Sequence, residues 1–208
     1  MDDPFAAVRS LMVEQQLLRR GIRDRGVLAA MNKVPRELFV DERARASSYA
    51  DSPLAIDCRQ TISQPYIVAY MTEQLELGGK ESVLEIGTGS GYQAAVLAEV
   101  AARVYTVEVI PELSAQAQSL LKERLHYRNV FFKVGRGQDG WPEFAPYDRI
   151  MVTAAPAEFP DGLFAQLAEG GIAVSPVGSY EQRLVRFRKQ SGKIHAEDLI
   201  GVIFVPLV

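Results

Sequence analysis

The stretch SVLEIGTGSGYQAAVLA, residues 82–98, decides the fold of this chain. It opens with a short apolar run and ends in an alanine-rich segment typical of a helix. Between them stand glycines at alternate positions: Gly87, Gly89 and Gly91. Glycine permits positive φ and lets another molecule approach the backbone closely. The stretch therefore predicts a strand, a tight turn that can seat a nucleotide-like ligand, and a helix.

The spacing of the glycines selects among nucleotide-like ligands. The dinucleotide fingerprint needs a glycine at its sixth place, where this chain has Tyr92, so a nicotinamide oxidoreductase is disfavoured. Glu85 precedes the turn and completes E-x-G-x-G-x-G, a pattern typical of enzymes that bind S-adenosylmethionine, whose amino and sulfonium charges tolerate a nearby carboxylate. A second acidic residue is expected about 20 residues later, where it would hold the ribose hydroxyls, and Glu108 stands there. A purely structural turn is the alternative, which the two glutamates disfavour.

Alternating apolar runs and helical patterns follow this stretch. Strands are predicted at residues 83–86, 104–108, 130–134, 150–153 and 172–174, and a hairpin at 182–204. Helices are predicted at 4–20, 24–35, 65–77, from 111 and at 161–168, the last ending at Gly170-Gly171, while 36–63 reads as an ordered loop or lid. We predict an α/β fold, a Rossmann-like doubly wound and mostly parallel sheet with an antiparallel C-terminal hairpin and N-terminal helical additions. In such a sheet the ligand lies at the carboxyl ends of the strands, here residues 87–91, 108, 135–140 and 153–156.

Composition limits the partners of the protein. The 208 residues fit one domain, with N-terminal helices and an active-site loop in 1–79 and a cofactor-binding sheet with its hairpin in 80–208. Lys and Arg number 23 against 26 Asp and Glu, a formal net charge of -3, so we expect no nucleic-acid partner. We find no run of about 18 apolar residues and expect no membrane partner. The single cysteine, Cys58, excludes an intramolecular disulfide, and we expect a monomer in the cytoplasm.

Six motifs resemble those of the protein-L-isoaspartate O-methyltransferase family. They are QTISQPY at 60–66, VLEIGTGSGYQAAVLA at 83–98, VYTVE at 104–108, APYD at 145–148, VTAAP at 152–156 and GVIFVPL at 201–207. The resemblance runs from about Met12 to the C-terminus. It implies S-adenosyl-L-methionine as cofactor and isoaspartyl-containing peptides and proteins as partners. The reaction it implies is methyl transfer to the α-carboxylate of a damaged residue, after which the ester closes to a succinimide that can reopen to aspartate.

The resemblance also implies the residues of the site. Ser63 would be the catalytic residue, orienting a carboxylate that needs no general base because its pKa near 4 leaves it ionised at neutral pH. From the residues alone, Ser63 could instead simply lie beside the N-terminus of the helix that Pro65 begins. The implied cofactor-binding residues are Thr61, Ile62, Ser63, Glu85, Gly87, Gly89, Gly91, Glu108, Arg136 and Gly137. The implied substrate-binding residues are Ile56, Ser63, Ala154 and Val205. The two histidines lack metal-ligand spacing, and we expect no metal.

Two positions depart from the family pattern. Arg136 stands where the family usually has an aspartate that contacts the adenine amino group, and an arginine offers only donors. Backbone contacts suffice there, or Asp139 substitutes, or the affinity for the cofactor is lowered. Arg59 stands where the family usually has glycine. A methyltransferase of another acceptor and a non-catalytic protein that binds S-adenosylmethionine are therefore kept as alternatives.

Overall fold

A seven-stranded sheet organises the chain, in a computed structural model that describes residues 3–208. The strands are β1 (Leu54–Ala55), β2 (Thr61–Ile62), β3 (Ser82–Ile86), β4 (Arg103–Glu108), β5 (Val130–Val134), β6 (Tyr147–Val152), β7 (Leu167–Val177), β8 (Gln182–Gln190) and β9 (Lys193–Val202). The large sheet has the order β5-β4-β3-β6-β7-β8-β9, and β1 and β2 form a separate antiparallel pair. Strands β3 to β7 pair in parallel, while β8 and β9 are antiparallel. The predicted α/β fold with an antiparallel C-terminal hairpin is confirmed.

Six α-helices accompany the sheet in the described part of the chain. They are α1 (Ala6–Met12), α2 (Arg25–Lys33), α3 (Pro65–Gln74), α4 (Tyr92–Val100), α5 (Pro111–Gln118) and α6 (Asp161–Gln166). A π-helical turn, Val13–Leu17, and a short 3-10 turn extend α1, and the π-helical turn Ser119–Arg124 extends α5. The Asp24 side chain caps α2 by accepting from the Val27 N–H at 2.9 Å, as its position in the sequence predicts. Among residues 3–208, no helix is long and apolar enough to cross a membrane.

The sheet is buried on both faces because successive residues of each central strand point to opposite sides. On one face, Val83 and Val104 belong to a cluster that includes Met31 and Leu97 of the helices. On the other face, Leu84 and Ile86 join a second cluster with Leu163 and Phe187. Strands buried on both sides explain why the apolar runs are continuous here rather than alternating.

Gly170 and Gly171 do not end a helix, and this prediction was wrong. Helix α6 stops at Gln166, and β7 begins at Leu167, which pairs with Tyr147 of β6. The register then shifts, so that Ile172 pairs with Arg149, and Gly170 lies between at φ +76°. The glycines therefore mark an irregularity within a strand, since the left-handed conformation they permit is what a bulge requires.

The C-terminal residues return across the carboxyl ends of the strands. The Ala155 N–H donates to the Val205 carbonyl at 2.7 Å, and the Leu207 N–H donates to the Ala155 carbonyl at 2.9 Å. Ala155 and Pro206 form a parallel bridge. This places residues 203–208 opposite the glycine-rich turn and closes one side of the space above the sheet.

Candidate active site

A cavity of about 310 Å³ lies at the carboxyl ends of β3, β4 and β6. Its walls come from the glycine turn, the end of β4, the hairpin of β1 and β2, and the C-terminal residues. The wall residues fall in the ranges 59–63, 86–90, 92–93, 107–110, 153–154 and 204–208, together with Val68, Met71 and Gly137. Of these, 86–90, 107–110, 153–154 and Gly137 lie in or next to the segments expected from the strand ends, while the C-terminal range was not among them.

Gly87 occupies a position that only glycine fits. Its φ is +95°, and a Cβ there would lie 2.4 Å from Oγ1 of Thr153. That hydroxyl donates to the Gly87 carbonyl at 2.7 Å and so ties the turn to the end of β6. Positive φ and the absence of space together require glycine. Thr153 belongs to the strand-end segment 153–156 that the sequence predicted, although it is not among the individual residues that the family resemblance implies.

Gly91 has a different role from the two glycines before it. It does not line the cavity, and its φ of +85° begins α4. A Cβ would lie 2.9 Å from Leu121 Cδ1 and 3.0 Å from Ala117 Cβ. Gly91 thus allows α4 to pack closely against the segment that follows β4, and the structure places it outside the proposed cofactor contacts.

Glu108 presents an oriented carboxylate to the cavity and is 6% exposed. Its Oε2 accepts from the Gly89 N–H at 2.8 Å and its Oε1 from the Ile110 N–H at 3.0 Å. Each carboxylate oxygen has more than one lone pair. After these backbone bonds the side chain is fixed in place and can still accept hydrogen bonds from a ligand.

Glu85 lies behind the cavity rather than in its wall. Its side chain is fully buried, and Oε2 is hydrogen-bonded to the Thr106 hydroxyl at 2.6 Å. Burial raises the pKa of this carboxyl to about 8, so the group is largely uncharged at neutral pH. The strand turns this side chain into the protein, so the structure does not bring Glu85, which was predicted to bind the cofactor, into the cavity wall.

Gly137 and Arg136 differ sharply in their surroundings. Gly137 is buried in the cavity wall, where a Cβ would lie 2.6 Å from Ile86 Cγ2 and 2.9 Å from Leu207 Cδ1. Arg136 is exposed and does not line the cavity, and Asp139 is exposed as well. The structure brings neither side chain into the site. This segment therefore contributes only the backbone of Gly137 to the cavity wall.

The hairpin of β1 and β2 carries Thr61, Ile62 and Ser63 to the cavity wall. Its turn is tight: the Ile56 N–H donates to the Gln60 carbonyl at 2.9 Å. Ser63 is partly exposed and does not cap α3, whose N-cap is Gln64 without a side-chain bond. Ser63 thus lies beside the N-terminus of α3, as the structural alternative expects, and it also lines the cavity.

Arg36 holds this hairpin from behind, a role that no local sequence pattern signals. It is fully buried, and its Nη2 donates to the Ser63 carbonyl at 2.8 Å. Its Nε donates to the Ser48 carbonyl at 2.7 Å, and its guanidinium carbon lies 4.7 Å from the centre of the Tyr92 ring. Burial lowers the pKa of this guanidinium. One side chain thus connects the N-terminal segment, the hairpin and the first residue of α4.

A second, larger cavity of about 860 Å³ opens beside the first. Five residues line both: Thr61, Ser63, Thr153, Phe204 and Val205. Of the predicted substrate-binding residues, Ser63 and Val205 lie at this junction, and Ala154 lines the first cavity. Ile56 lines neither, but faces a separate cavity of about 150 Å³. The site therefore offers two connected spaces with Ser63 at their boundary.

The first cavity suits a nucleoside-bearing cofactor. The close-packed glycines at 87 and 137 let a ligand approach backbone, and Glu108 offers acceptors of the kind that bind vicinal hydroxyls. Val107, Val109 and Leu207 provide apolar surface for a flat base. Among residues 3–208 no three His, Cys, Asp or Glu side chains are grouped so as to hold a metal.

Known proteins share this sequence and fold. Residues 8–208 match the family described as protein-L-isoaspartate(D-aspartate) O-methyltransferase. A protein-L-isoaspartate O-methyltransferase of Picosynechococcus sp. is 55% identical over 205 residues, which cover 99% of this chain and 92% of the relative. One of Geobacter metallireducens is 53% identical over 206 residues, covering 98% and 95%.

Solved structures agree with these relatives. A protein-L-isoaspartate O-methyltransferase superposes with a TM-score of 0.87 at 32% identity, covering 95% of this chain and 65% of the longer one. A Plasmodium falciparum structure, described as such an enzyme in complex with S-adenosyl-L-homocysteine, gives a TM-score of 0.81 at 26% identity and covers 96% and 98%.

Proposed function

Since the chain belongs to the protein-L-isoaspartate(D-aspartate) O-methyltransferase family, we propose that its two connected cavities divide the reaction between them. The protein is an S-adenosylmethionine-dependent methyltransferase that methylates isoaspartyl residues of proteins for repair. In our proposal the smaller cavity binds the methyl donor and the larger one the damaged peptide. The observation that carries this division is the junction, where Ser63 and Thr153 face both spaces.

On the donor side, we assign binding to the glycine turn and to Glu108. Gly87 and Gly89 allow close approach, and Glu108 accepts from the ribose hydroxyls while two backbone N–H groups hold it in place. Gly137 presents backbone to the adenine, a role that does not need the side chain of Arg136. Glu85 and Gly91 support this wall from outside it, through buried hydrogen bonds and helix packing respectively.

The chemistry on the acceptor side requires positioning more than proton transfer. When bound, the cofactor supplies an electrophilic methyl group on a sulfonium. The acceptor carboxylate is already ionised at neutral pH and needs no general base. The protein must instead hold the attacking oxygen in line with the methyl group, and such alignment can contribute roughly 7–11 kcal/mol. Ser63 donates a hydrogen bond to this carboxylate in our proposal, while Phe204 and Val205 exclude water from the junction.

Methyl transfer to an isoaspartyl peptide, with the normal aspartyl peptide as control, tests the proposal directly. We expect transfer to the first and none to the second. The Ser63→Ala variant should lower kcat/KM about 10- to 100-fold, the range expected when a positioning hydrogen bond to a charged group is lost. Its dissociation constant for S-adenosylhomocysteine should change less than about threefold. Equal activity in the variant and the parent protein would refute the role of Ser63.

We also propose that the chain acts as a monomeric single domain in the cytoplasm and without nucleic acid. One hydrophobic cluster contains Met31 of the N-terminal part and Val83 and Ile172 of the sheet, which supports treating 1–79 and 80–208 as one unit. The net charge of -3 gives no general attraction to phosphate backbones. Sedimentation of the purified protein tests the monomer, because a dimer would double the expected mass.

A further inference from the structure

A buried chain of three hydrogen-bonding side chains connects Glu85 to the donor cavity. Oγ1 of Thr106, on β4, lies 2.6 Å from Glu85 Oε2 and 2.6 Å from Oγ1 of Thr88. Thr88 is 3% exposed and lines the cavity. Since Thr88 reaches the cavity and Glu85 does not, the hydrogen-bonded route from Glu85 to a ligand passes through the two threonines.

The surroundings of Glu85 favour its neutral form. The side chain is fully buried, and its Oε1 has no hydrogen-bond partner among residues 3–208. An ionised oxygen without a partner is far more costly to bury than a carbonyl oxygen. Burial accordingly raises the pKa of Glu85 to about 8, with a further contribution from the negative charge of Glu108 and an opposing one from the Thr106 hydrogen bond.

The protonation of Glu85 sets the direction of the chain because each hydroxyl has a single proton. A neutral Glu85 can donate to Thr106, which then donates to Thr88, and the Thr88 proton is free to point into the cavity. An ionised Glu85 must accept from Thr106, and Thr106 must in turn accept from Thr88. In that state the Thr88 proton is used inside the protein, and the hydroxyl offers the cavity only an acceptor.

We propose that Glu85 is a positioning residue for the cofactor. When Glu85 is neutral, its hydrogen bond through Thr106 leaves the Thr88 hydroxyl free to donate a hydrogen bond to the bound cofactor. When Glu85 ionises, the Thr88 proton turns inward and that hydrogen bond is lost. The inference rests on the proposed cofactor site. Glu85 would then act on the cofactor although its side chain does not line the cavity. The affinity for the cofactor should fall as the pH rises and Glu85 ionises.

The groups facing Glu85 leave few competing sources for such a pH dependence. Glu108 of β4 is the charged side chain that influences it. The residue paired with it on β6 is Met151. The buried side chains of α3 and α4, on the same face of the sheet, carry no charge, and Tyr92 is the titratable one among them. Burial raises the pKa of that phenol, so it stays neutral across the relevant range.

Calorimetric binding of S-adenosylhomocysteine at pH 6.5 and pH 9.5 tests the proposal in the whole protein and in Glu85→Gln. Glutamine keeps a donor toward Thr106 but cannot ionise. The amino group of the ligand titrates equally in both experiments, so the ratio of the two dissociation constants isolates Glu85. Between pH 6.5 and pH 9.5, we expect the dissociation constant of the parent protein to rise roughly tenfold more than that of the variant. This is the effect of losing a hydrogen bond to a charged group. At pH 8.5 the parent should also take up protons on binding, and the variant should take up fewer.

Thr88→Val provides a second variant that leaves the buried carboxyl in place. It should bind about tenfold more weakly than the parent at pH 6.5 and nearly as well as the parent at pH 9.5, where the parent has lost the same donor. Equal pH dependence in the parent and Glu85→Gln, or parental affinity of Thr88→Val at pH 6.5, would overturn the role of Glu85 while the cofactor site stands. Absence of binding at every pH in the parent would overturn both.

Discussion

The two walls of the active site are built in opposite ways. The donor wall consists of consecutive strand ends, so Gly87 and Glu108 are placed by the parallel register of β3, β4 and β6. The acceptor wall consists of the short hairpin and the C-terminal residues, which lie outside the large sheet. Ser63 is held there by the Arg36 guanidinium and Val205 by its backbone bond to Ala155. The donor wall should therefore respond to changes in the sheet, and the acceptor wall to single distant contacts.

The strongest test of the donor wall is the pH dependence of its stability. The pKa of Glu85 is about 8 in the folded protein against an ordinary value of 4.5, so above pH 4.5 the unfolded chain releases a proton that the folded chain retains. The contribution of Glu85 to the free energy of unfolding is fully present below pH 4.5. It is lost as the pH rises to about 8, a loss of up to about 5 kcal/mol. Urea unfolding at pH 5 and pH 9 should show this loss in the parent, relative to Glu85→Gln.

The comparison with Glu85→Gln removes the contribution of all other titrating groups, since they are shared. If the difference in unfolding free energy between the two proteins is the same at pH 5 and pH 9, the carboxyl is not held neutral. The donor wall would then be less tightly enclosed than the burial of Glu85 indicates.

Gly87→Ala should break the donor wall at its turn. The new Cβ meets Oγ1 of Thr153 at 2.4 Å and the backbone has positive φ, which together cost about 2–4 kcal/mol. We expect a loss of affinity for S-adenosylhomocysteine of at least about 30-fold. Gly79→Ala is the matched control, because Gly79 has a similar φ of +89° with nothing within 4 Å of its added Cβ. Equal losses of affinity for S-adenosylhomocysteine in the two variants would show that backbone strain alone, and not the contact with Thr153, requires glycine at position 87.

The same contrast explains how much could be predicted from the sequence. The succession of strands and helices along the chain and the glycine turn follow from local periodicity. The place of Glu108 in the site follows because parallel strands bring their carboxyl ends to one edge. The direction of the Glu85 side chain was missed, since a strand buried on both faces gives no alternation from which to judge it. The link from Arg36 to Ser63 spans 27 residues and depends on tertiary packing alone, and no local pattern contains it. The resemblance to a family supplied Ser63 but not what holds it.

Arg36→Met should damage the acceptor wall and spare the donor wall. It removes hydrogen bonds to the carbonyls of Ser63 and Ser48, and leaving these acceptors unpaired costs about 2–3 kcal/mol in stability. We expect kcat/KM for an isoaspartyl peptide to fall about 10- to 30-fold, while the dissociation constant of S-adenosylhomocysteine changes less than about threefold. Arg19→Met, at a side chain that is 68% exposed, is the control and should alter neither. Loss of cofactor binding equal to the loss of activity would show that the two walls are not independent.

The smallest expected effect lies at Arg59, in the turn of the acceptor hairpin. Cys58 and Arg59 both have positive φ, 56° and 58°, and Arg59 lies where the family pattern has glycine. An L-residue in this conformation costs roughly 1–2 kcal/mol, part of which glycine loses again through the entropy of the unfolded chain. Arg59→Gly should therefore stabilise the protein by about 0.5–1 kcal/mol. Arg59→Ala removes the same side chain and keeps the strain, so it should give no such gain in the midpoint of urea unfolding. If both variants stabilise the protein equally, the cationic side chain rather than the backbone is the source of the cost, and the hairpin is relaxed where its geometry indicates strain.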